Sequence, residues 1–265
     1  MEKLFEAYIR TGFGHVKFAR GAPAVSGREF HDYDEIVLFL EGDAELISSR
    51  IQMKLEPGMI IMIPKEQFHQ FCVNTPQEYL RCILGFSADG ALGQLVRDTM
   101  RQVVVLPRAA GNMREIFDML MQASRVRQTE PEAELLLRSA VVQLLMSWKL
   151  YTQSPIEESV QISRITQQAL AYIDANLAGQ LRLEEIAGVC NVSVSSLSHR
   201  FSKELKIPVY RYITEKRLSS VRQLTEKGVP LSEAAQRSGF SDYAGFYRLY
   251  RKKYGQKPSS EQKKS

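Results

Sequence analysis

A repeated pattern between Leu183 and Gly255 constrains the fold of this chain more than any other feature. A shift of 48 residues places Leu183 on Leu231 and Ser193 on Ser241, and a shift of 49 continues the match through the next helix. Each copy has the pattern of two short helices joined by a turn, so one structural unit is used twice. The chain is therefore predicted to contain two helix-turn-helix units connected by one long helix.

The charge is distributed unevenly between the two halves of the chain. Residues 1–150 contain 17 Lys and Arg against 19 Asp and Glu, whereas residues 151–265 contain 18 against 11, for net charges of −2 and +7. Because basic side chains near phosphates release condensed counterions, the half with the repeat is predicted to bind double-stranded DNA. No apolar run approaches the roughly 18 residues that span a bilayer, and the first residues lack a signal peptide. We therefore expect a cytoplasmic, nucleoid-associated protein with no membrane partner.

The first half of the chain changes from β-rich to helical patterns. Short β-rich runs broken by turn residues extend from about His15 to Phe86, which predicts an antiparallel sandwich or small barrel. Three stretches of helical spacing follow, namely Ala91–Arg101, Met113–Arg127 and Ala133–Tyr151. The third is apolar over more than half its circumference, which predicts packing against a neighbouring helix or a homodimer formed through Met113–Tyr151.

These patterns predict an α+β chain of two domains. The first is a β-barrel with following helices that spans residues 1–155 and serves ligand sensing and dimerisation. The second is an all-α double helix-turn-helix domain that spans residues 156–265 and binds DNA. The stretch around Gln153–Val160 has the composition of a linker, which places the boundary there.

Four polar side chains of the first domain are candidates for binding a ligand. Alternate residues share one face of a strand, so His31, Tyr33 and Glu35 would lie together, with Glu29 beside them and His69 on a separate strand. Imidazole and carboxylate groups that converge inside a barrel can bind a divalent cation, hydrogen-bond a small polar ligand, or simply satisfy one another. The proposed effector site consists of His31, Tyr33, Glu35 and His69.

The order of these residues resembles the cupin motifs. His31, Glu35 and Gly42 match the first motif, and His69 after a Pro-Gly turn matches the second. Glu29 stands where the cupin pattern has another His. The resemblance implies a barrel that binds an unidentified small-molecule effector, and with that substitution we assign it no resident metal or other cofactor.

The second helix of each repeat, here called a recognition helix, has a polar outer face. In the first unit this face consists of Ser195, Ser198, His199 and Ser202, opposite Leu197, Phe201 and Leu205. In the second unit it consists of Tyr243, Ala244, Tyr247, Arg248 and Arg251, opposite Phe246, Leu249 and Tyr250. Such side chains can contact base edges in a major groove, and Arg248 is the candidate for a bidentate contact to guanine. Alternatively, they form an ordinary solvated face.

The long helix predicted at Val209–Lys227 separates the two recognition helices. Eighteen helical residues span roughly 27 Å, which is close to the pitch of about 34 Å between successive major-groove faces of B-DNA. The two recognition helices are therefore predicted to enter adjacent major grooves on one side of the duplex.

Taken together, the second domain resembles the AraC/XylS family of bacterial transcription regulators. The matching residues are Ile186-Ala187, Ser193, Leu197, Phe201, Arg217-Leu218, Gly239-Phe240, Phe246, Tyr254-Gly255 and Pro258. The resemblance implies a ligand-responsive, sequence-specific DNA-binding regulator that is not an enzyme, activates more often than it represses, and binds two half-sites as a dimer. RNA polymerase is a further candidate partner.

The first unit departs from the family pattern at four positions. Arg182 replaces the usual Ser or Thr cap, His199 an Arg, Lys206 a Gly and Val209 a Pro. We expect this unit to be less rigid and to contribute less affinity than the second unit.

Two other functions fit parts of the sequence. A metal-dependent cupin enzyme fused to a DNA-binding domain would retain equimolar metal through dialysis and lose it in His69→Ala. An RNA-binding or architectural protein would protect no pair of neighbouring major grooves.

Overall fold

The computed structural model describes residues 8–20, 30–74, 78–106, 112–151 and 160–254. The chain divides into two compact units, Met1–Gln161 and Ile162–Ser265. The boundary expected at residue 155 lies outside the described residues, and the observed division falls six residues later. Three residues that belong to the sequence motifs described above, Glu29, Gly255 and Pro258, also lie outside the described residues.

The first of these compact units, the β-rich domain, contains two antiparallel sheets. Its strands are β1 (Tyr8–Arg10), β2 (Gly14–Arg20), β3 (Asp34–Glu41), β4 (Ala44–Ser48), β5 (Ile51–Lys54), β6 (Ile60–Ile63), β7 (His69–Val73), β8 (Leu80–Phe86), β9 (Val104–Leu106) and β10 (Val160–Gln161). The larger sheet has the order β1-β2-β8-β3-β6-β9 and the smaller sheet β10-β5-β4-β7. One buried cluster joins their inner faces, with Phe39 and Ile83 from the larger sheet and Leu46 and Phe71 from the smaller.

The prediction of a closed barrel is wrong. Among the described strands, no pairing joins the larger sheet to the smaller one, so the domain is an open sandwich. Closure would require β6 to pair with a strand of the smaller sheet. That edge of β6 is instead occupied by β9, which enters from later in the chain and pairs Ile60 with Leu106.

Three helices cover the outer face of the larger sheet. They are α1 (Gly90–Thr99), α2 (Met113–Ala123) and α3 (Glu130–Tyr151). Leu84 of the sheet packs in one buried cluster with Phe117 of α2 and with Leu137 and Trp148 of α3. The helix α3 begins at Glu130 because the Glu132 carboxylate accepts hydrogen bonds from the N–H and hydroxyl groups of Thr129, at 2.9 and 2.7 Å. Of the helices that the structure describes, none is long and apolar enough to cross a membrane.

The second unit is entirely helical over its described residues. Its helices are α4 (Arg164–Ala175), α5 (Leu183–Val189), α6 (Val194–Leu205), α7 (Val209–Glu226), α8 (Leu231–Arg237) and α9 (Tyr243–Tyr254). The first helix-turn-helix is α5 and α6, the second is α8 and α9, and α7 connects them. The predicted duplication is therefore present in the fold, and the connecting helix ends one residue before its expected end at Lys227.

Local capping explains where these helices begin. The Ser193 hydroxyl accepts a hydrogen bond from Ser196 N–H at 3.1 Å at the start of α6, and Asp242 Oδ1 accepts one from Ala244 N–H at 3.0 Å at the start of α9. Pro208 precedes α7 at φ −62°, so the proline thought to be missing at Val209 lies one residue earlier. Lys206, by contrast, has φ +52°, the left-handed conformation that glycine favours, and Arg182 makes no capping hydrogen bond at the start of α5.

Candidate DNA-binding surface and effector site

The polar face of α6 points away from the core of its unit. Leu197, Phe201 and Leu205 are fully buried, as predicted. Ser195 and His199 are exposed, and Ser198 and Ser202 are half-buried beside them. Leu197, Phe201 and Leu205 follow one another at intervals of 4 residues, so they form one row on the helix. The burial of this row fixes the rotation of α6 about its axis. The short polar side chains and the imidazole are thereby left on the outer face.

The corresponding face of α9 is larger and more basic. Its exposed residues are Tyr243, Ala244, Arg248, Arg251 and Lys252, with Tyr247 half-buried. The ring of Phe246 packs against that of Tyr250 with centroids 5.6 Å apart, and Tyr250 against Tyr254 at 4.6 Å. This aromatic row holds α9 on α7, so the arginines face outward.

One prediction for α9 is wrong. Leu249 is 41% exposed, because the aromatic row fills the core and Leu249 lies about 100° around the helix from Tyr250. Lys253 forms an ion pair with Glu215 of α7 at 2.7 Å. The cations that face outward on the last turns of α9 are therefore Arg248, Arg251 and Lys252.

The predicted effector residues come together at one end of the sandwich. His31 Nε2 lies 2.7 Å from Glu35 Oε2, and His69 Nε2 lies 3.4 Å from the same oxygen. The Tyr33 ring stacks on the His31 ring with centroids 4.2 Å apart and an interplanar angle of 7°. His31 precedes β3 rather than lying on it, so these groups do not meet by sharing one face of a strand as predicted. They meet because the Glu35 carboxylate contacts both imidazole rings directly.

The Glu35 carboxylate is buried and ionised. Burial alone would raise its pKa, but the charge and hydrogen bond of His31, and then those of His69, hold the pKa well below its usual range. His31 Nδ1 also lies 2.6 Å from the carbonyl oxygen of Tyr33. His31 is therefore held at both ring nitrogens, by a carboxylate on one side and a backbone carbonyl on the other.

A divalent cation fits these donors in kind. His31 Nε2, Glu35 Oε2 and a ring nitrogen of His69 lie within 4.8 Å of one another, and imidazole with carboxylate is a common zinc ligand set. His31 Nε2 already contacts Glu35 Oε2 at 2.7 Å, so a cation bound to both atoms would have to replace that contact.

His15 is a member of this site that the sequence did not indicate. His15 and Glu35 flank Gly85 on the neighbouring strands β2 and β3. A Cβ built at Gly85 would lie 2.5 Å from His15 Cε1 and 2.8 Å from Tyr33 Cε2, so only glycine leaves room for both rings. Burial lowers the pKa of His15, which Glu35 partly opposes. The missed signal was the glycine in the middle of an apolar strand.

Comparison with known proteins gives one match to the helix-turn-helix region and longer matches along the chain. A family model described as a helix-turn-helix domain matches residues 186–264. The Msm operon regulatory protein of Streptococcus mutans is 25% identical over 247 residues, which are 89% of this chain and 86% of that protein. The probable transcriptional regulator LumQ of Photobacterium leiognathi is 24% identical over 249 residues, covering 88% and 90%. Residues 186–264 therefore form an AraC-type helix-turn-helix domain, and relatives that match most of the chain are named as regulators.

The matches extend beyond the helix-turn-helix domain. Both curated relatives align through the β-rich domain as well, because an alignment of 247 residues cannot fit within the second unit alone. The crystal structure of apo ToxT from Vibrio cholerae covers 98% of this chain and 98% of its own at 13% identity, with a TM-score of 0.43.

Proposed function

We propose that this regulator recognises specific DNA sequences with α6 and α9 together. The observation that supports the proposal most strongly is the matched exposure of corresponding faces on the second helix of each unit. Ser195 and His199 on α6 correspond to Ala244 and Arg248 on α9, and all four are exposed. The α7 helix between the units has 18 residues and spans roughly 27 Å, which suits adjacent major grooves.

Footprinting on a selected site tests this arrangement. The full chain should protect two neighbouring major grooves on one face of the duplex, with centres about one helical turn apart. Protection of a single groove would contradict recognition by both helices. Uniform protection along the duplex would instead favour the architectural alternative.

The β-rich domain is proposed to sense a small polar or anionic effector. The rings of His31, Tyr33 and His15 lie around Glu35, and such a group offers both hydrogen-bonding nitrogens and an aromatic face. The effector would act by binding one arrangement of the DNA-binding units more tightly than another, because only differential affinity can shift such an equilibrium. We propose activation rather than repression as the outcome, with RNA polymerase as a further partner on nucleoid DNA in the cytoplasm.

The α3 helix carries an apolar stripe suited to a second copy of the chain. The apolar stripe consists of Leu135, Val142, Met146 and Leu150, which are 69%, 40%, 46% and 71% exposed. These four residues fall within about 80° of the helix circumference, so they form one continuous strip. Exposed strips of this kind in a regular helix are unusual unless a partner covers them. The first turn of α3 is acidic and its last turn contains Lys149, so an antiparallel pair of α3 helices would bring opposite charges together.

Met146→Glu is expected to dissociate the proposed dimer. A carboxylate at the centre of the apolar stripe would be buried without a partner, and the dimer dissociation constant should rise roughly 100-fold or more. Sedimentation velocity on the full chain measures the change. Gln122→Glu, which adds the same charge at an exposed position of α2, is the control and should leave the dimer intact. A monomeric wild-type protein at micromolar concentration would contradict the dimer itself.

The second candidate function is the metal-dependent enzyme. One observation favours it, namely the approach of His31, Glu35 and His69 within 4.8 Å. The hydrogen bonds within that cluster favour the sensing role, and relatives along the whole chain are named as regulators.

A further inference from the structure

Two carbonyl groups of the loop that precedes the first helix-turn-helix accept hydrogen bonds from one arginine of the connecting helix. Arg217 Nε donates to the Leu177 carbonyl oxygen at 3.0 Å, and Arg217 Nη2 donates to the Gly179 carbonyl oxygen at 2.6 Å. Leu177 and Gly179 lie in the loop between α4 and α5, and Arg217 lies in the middle of α7. The guanidinium therefore ties the connecting helix to the loop that leads into the first unit.

The second helix-turn-helix unit reaches the same carbonyl. A Cβ built at Gly239 would lie 2.6 Å from the Leu177 carbonyl oxygen and 2.8 Å from Arg217 Nε. Gly239 forms the turn between α8 and α9 with φ +90°, so glycine is required there for its conformation and also for this close approach. The α4–α5 loop, α7 and the α8–α9 turn thus meet at Leu177, where Arg217 holds them.

Arginine suits this junction better than any other side chain. The two carbonyls follow the C-terminal end of α4, where backbone carbonyls lack helical partners and carry partial negative charge. A planar guanidinium can satisfy both from fixed directions, whereas a lysine ammonium acts as a single point charge. The neighbouring residue Lys216 pairs with Asp174 of α4, which adds a second link, between α7 and α4. Burial lowers the pKa of Arg217, which is consistent with a guanidinium that is partly removed from solvent.

We propose that Arg217 is a positioning residue that fixes the separation of α6 and α9, and thereby the spacing between half-sites that this regulator accepts. This inference rests on the proposed recognition of DNA by both helices. One base pair corresponds to about 3.4 Å along the duplex, so a looser junction would let the second unit follow a shifted half-site. Arg217 itself is occupied by protein carbonyls and is not assigned a base contact.

The test is a spacing profile on DNA. Sites are first selected from random sequence with the full wild-type chain, and the interval between their two half-sites is then changed by one base pair in either direction. Wild-type affinity should fall about tenfold or more at each changed spacing. Arg217→Lys, which keeps the charge and loses the fork, should bind the three spacings within about threefold of one another.

The control is Arg211→Lys on the same helix, because Arg211 is exposed and its nearest carboxylate, in Glu215, is 3.9 Å away. Arg211→Lys should keep the wild-type spacing profile even if its overall affinity changes. A folded Arg217→Lys variant with the wild-type profile would overturn the inference. A flat profile for the wild type would contradict recognition by both helices, a separate failure.

A distance measurement on the DNA-free full chain decides the positioning role independently. Spin labels introduced as unnatural amino acids at the exposed positions Ser196 and Lys252 report the separation of α6 and α9. The distance distribution should be narrow in the wild type and broader in Arg217→Lys and in Arg217→Gln. Equal widths would overturn the proposal, and so would the loss of folding in both variants, which would make Arg217 a residue of stability alone.

Discussion

Glu35→Ala should lower the free energy of unfolding of the β-rich domain by about 1–3 kcal/mol, because it removes the buried carboxylate that both His31 and His69 contact. Glu35 is 1% exposed and accepts the 2.7 Å hydrogen bond from His31. Urea denaturation followed by fluorescence measures the loss selectively, since Trp148 is the single tryptophan and lies in the core of this domain. The transition of the DNA-binding domain, followed by circular dichroism, should not move.

Two variants serve as controls for this prediction. Glu35→Gln keeps the shape of the side chain and one acceptor, so it should cost less than Glu35→Ala. Glu45→Ala removes a half-buried carboxylate of β4 that accepts one hydrogen bond from Gln52 at 3.2 Å, and its cost should stay near 0.5 kcal/mol or below. A loss under about 1 kcal/mol for Glu35→Ala would mean that the charged cluster does not hold the sandwich together.

Arg248→Ala should weaken binding to a specific site by about 1–3 kcal/mol, or roughly 5- to 150-fold, and relax the preference at one base pair. The physical reason is the loss of a bidentate contact to guanine from the exposed face of α9. Competition assays on a set of single-base variants of the site measure both effects. An equal loss on random DNA would show that Arg248 contacts only phosphate.

The comparison with α6 tests the inequality between the two units. His199→Ala should weaken binding less than Arg248→Ala, because an imidazole makes at most one hydrogen bond to a base edge. Arg237→Ala is the matched control, since Arg237 is exposed on α8 and pairs with Glu233 on its own helix. If His199→Ala proves the more damaging, the first unit carries the larger share of the affinity.

The helices of the second domain were predictable because their signals are local. Ser193 and Asp242 accept capping hydrogen bonds from amides that lie within three residues of them in the sequence. Gly239 indicates a turn because its backbone has a positive φ that glycine adopts readily. The burial of Leu197 and Phe246 follows from helical spacing alone. Leu249 was misplaced because the periodicity does not tell how far the aromatic row extends across the core.

The features that the sequence did not disclose depend on contacts between distant residues. Arg217 is 40 residues from Leu177, and nothing near either residue indicates that they meet. The open sandwich follows from the arrival of β9 beside β6, a pairing set by the helix packing in between. His15 joins the effector site only because Gly85 has no side chain on the strand next to it. In each case the position of a residue is determined by a contact partner that is distant from it in the sequence.

Recognition of specific DNA by this chain is tested most directly by its affinity for selected genomic fragments and for random DNA at rising salt. Both affinities should fall as salt increases, because Lys and Arg contacts to phosphate release counterions. The selected fragments should remain about 1,000-fold or more tighter than random DNA throughout. Equal affinity for the selected fragments and for random DNA at every salt concentration would contradict sequence-specific recognition.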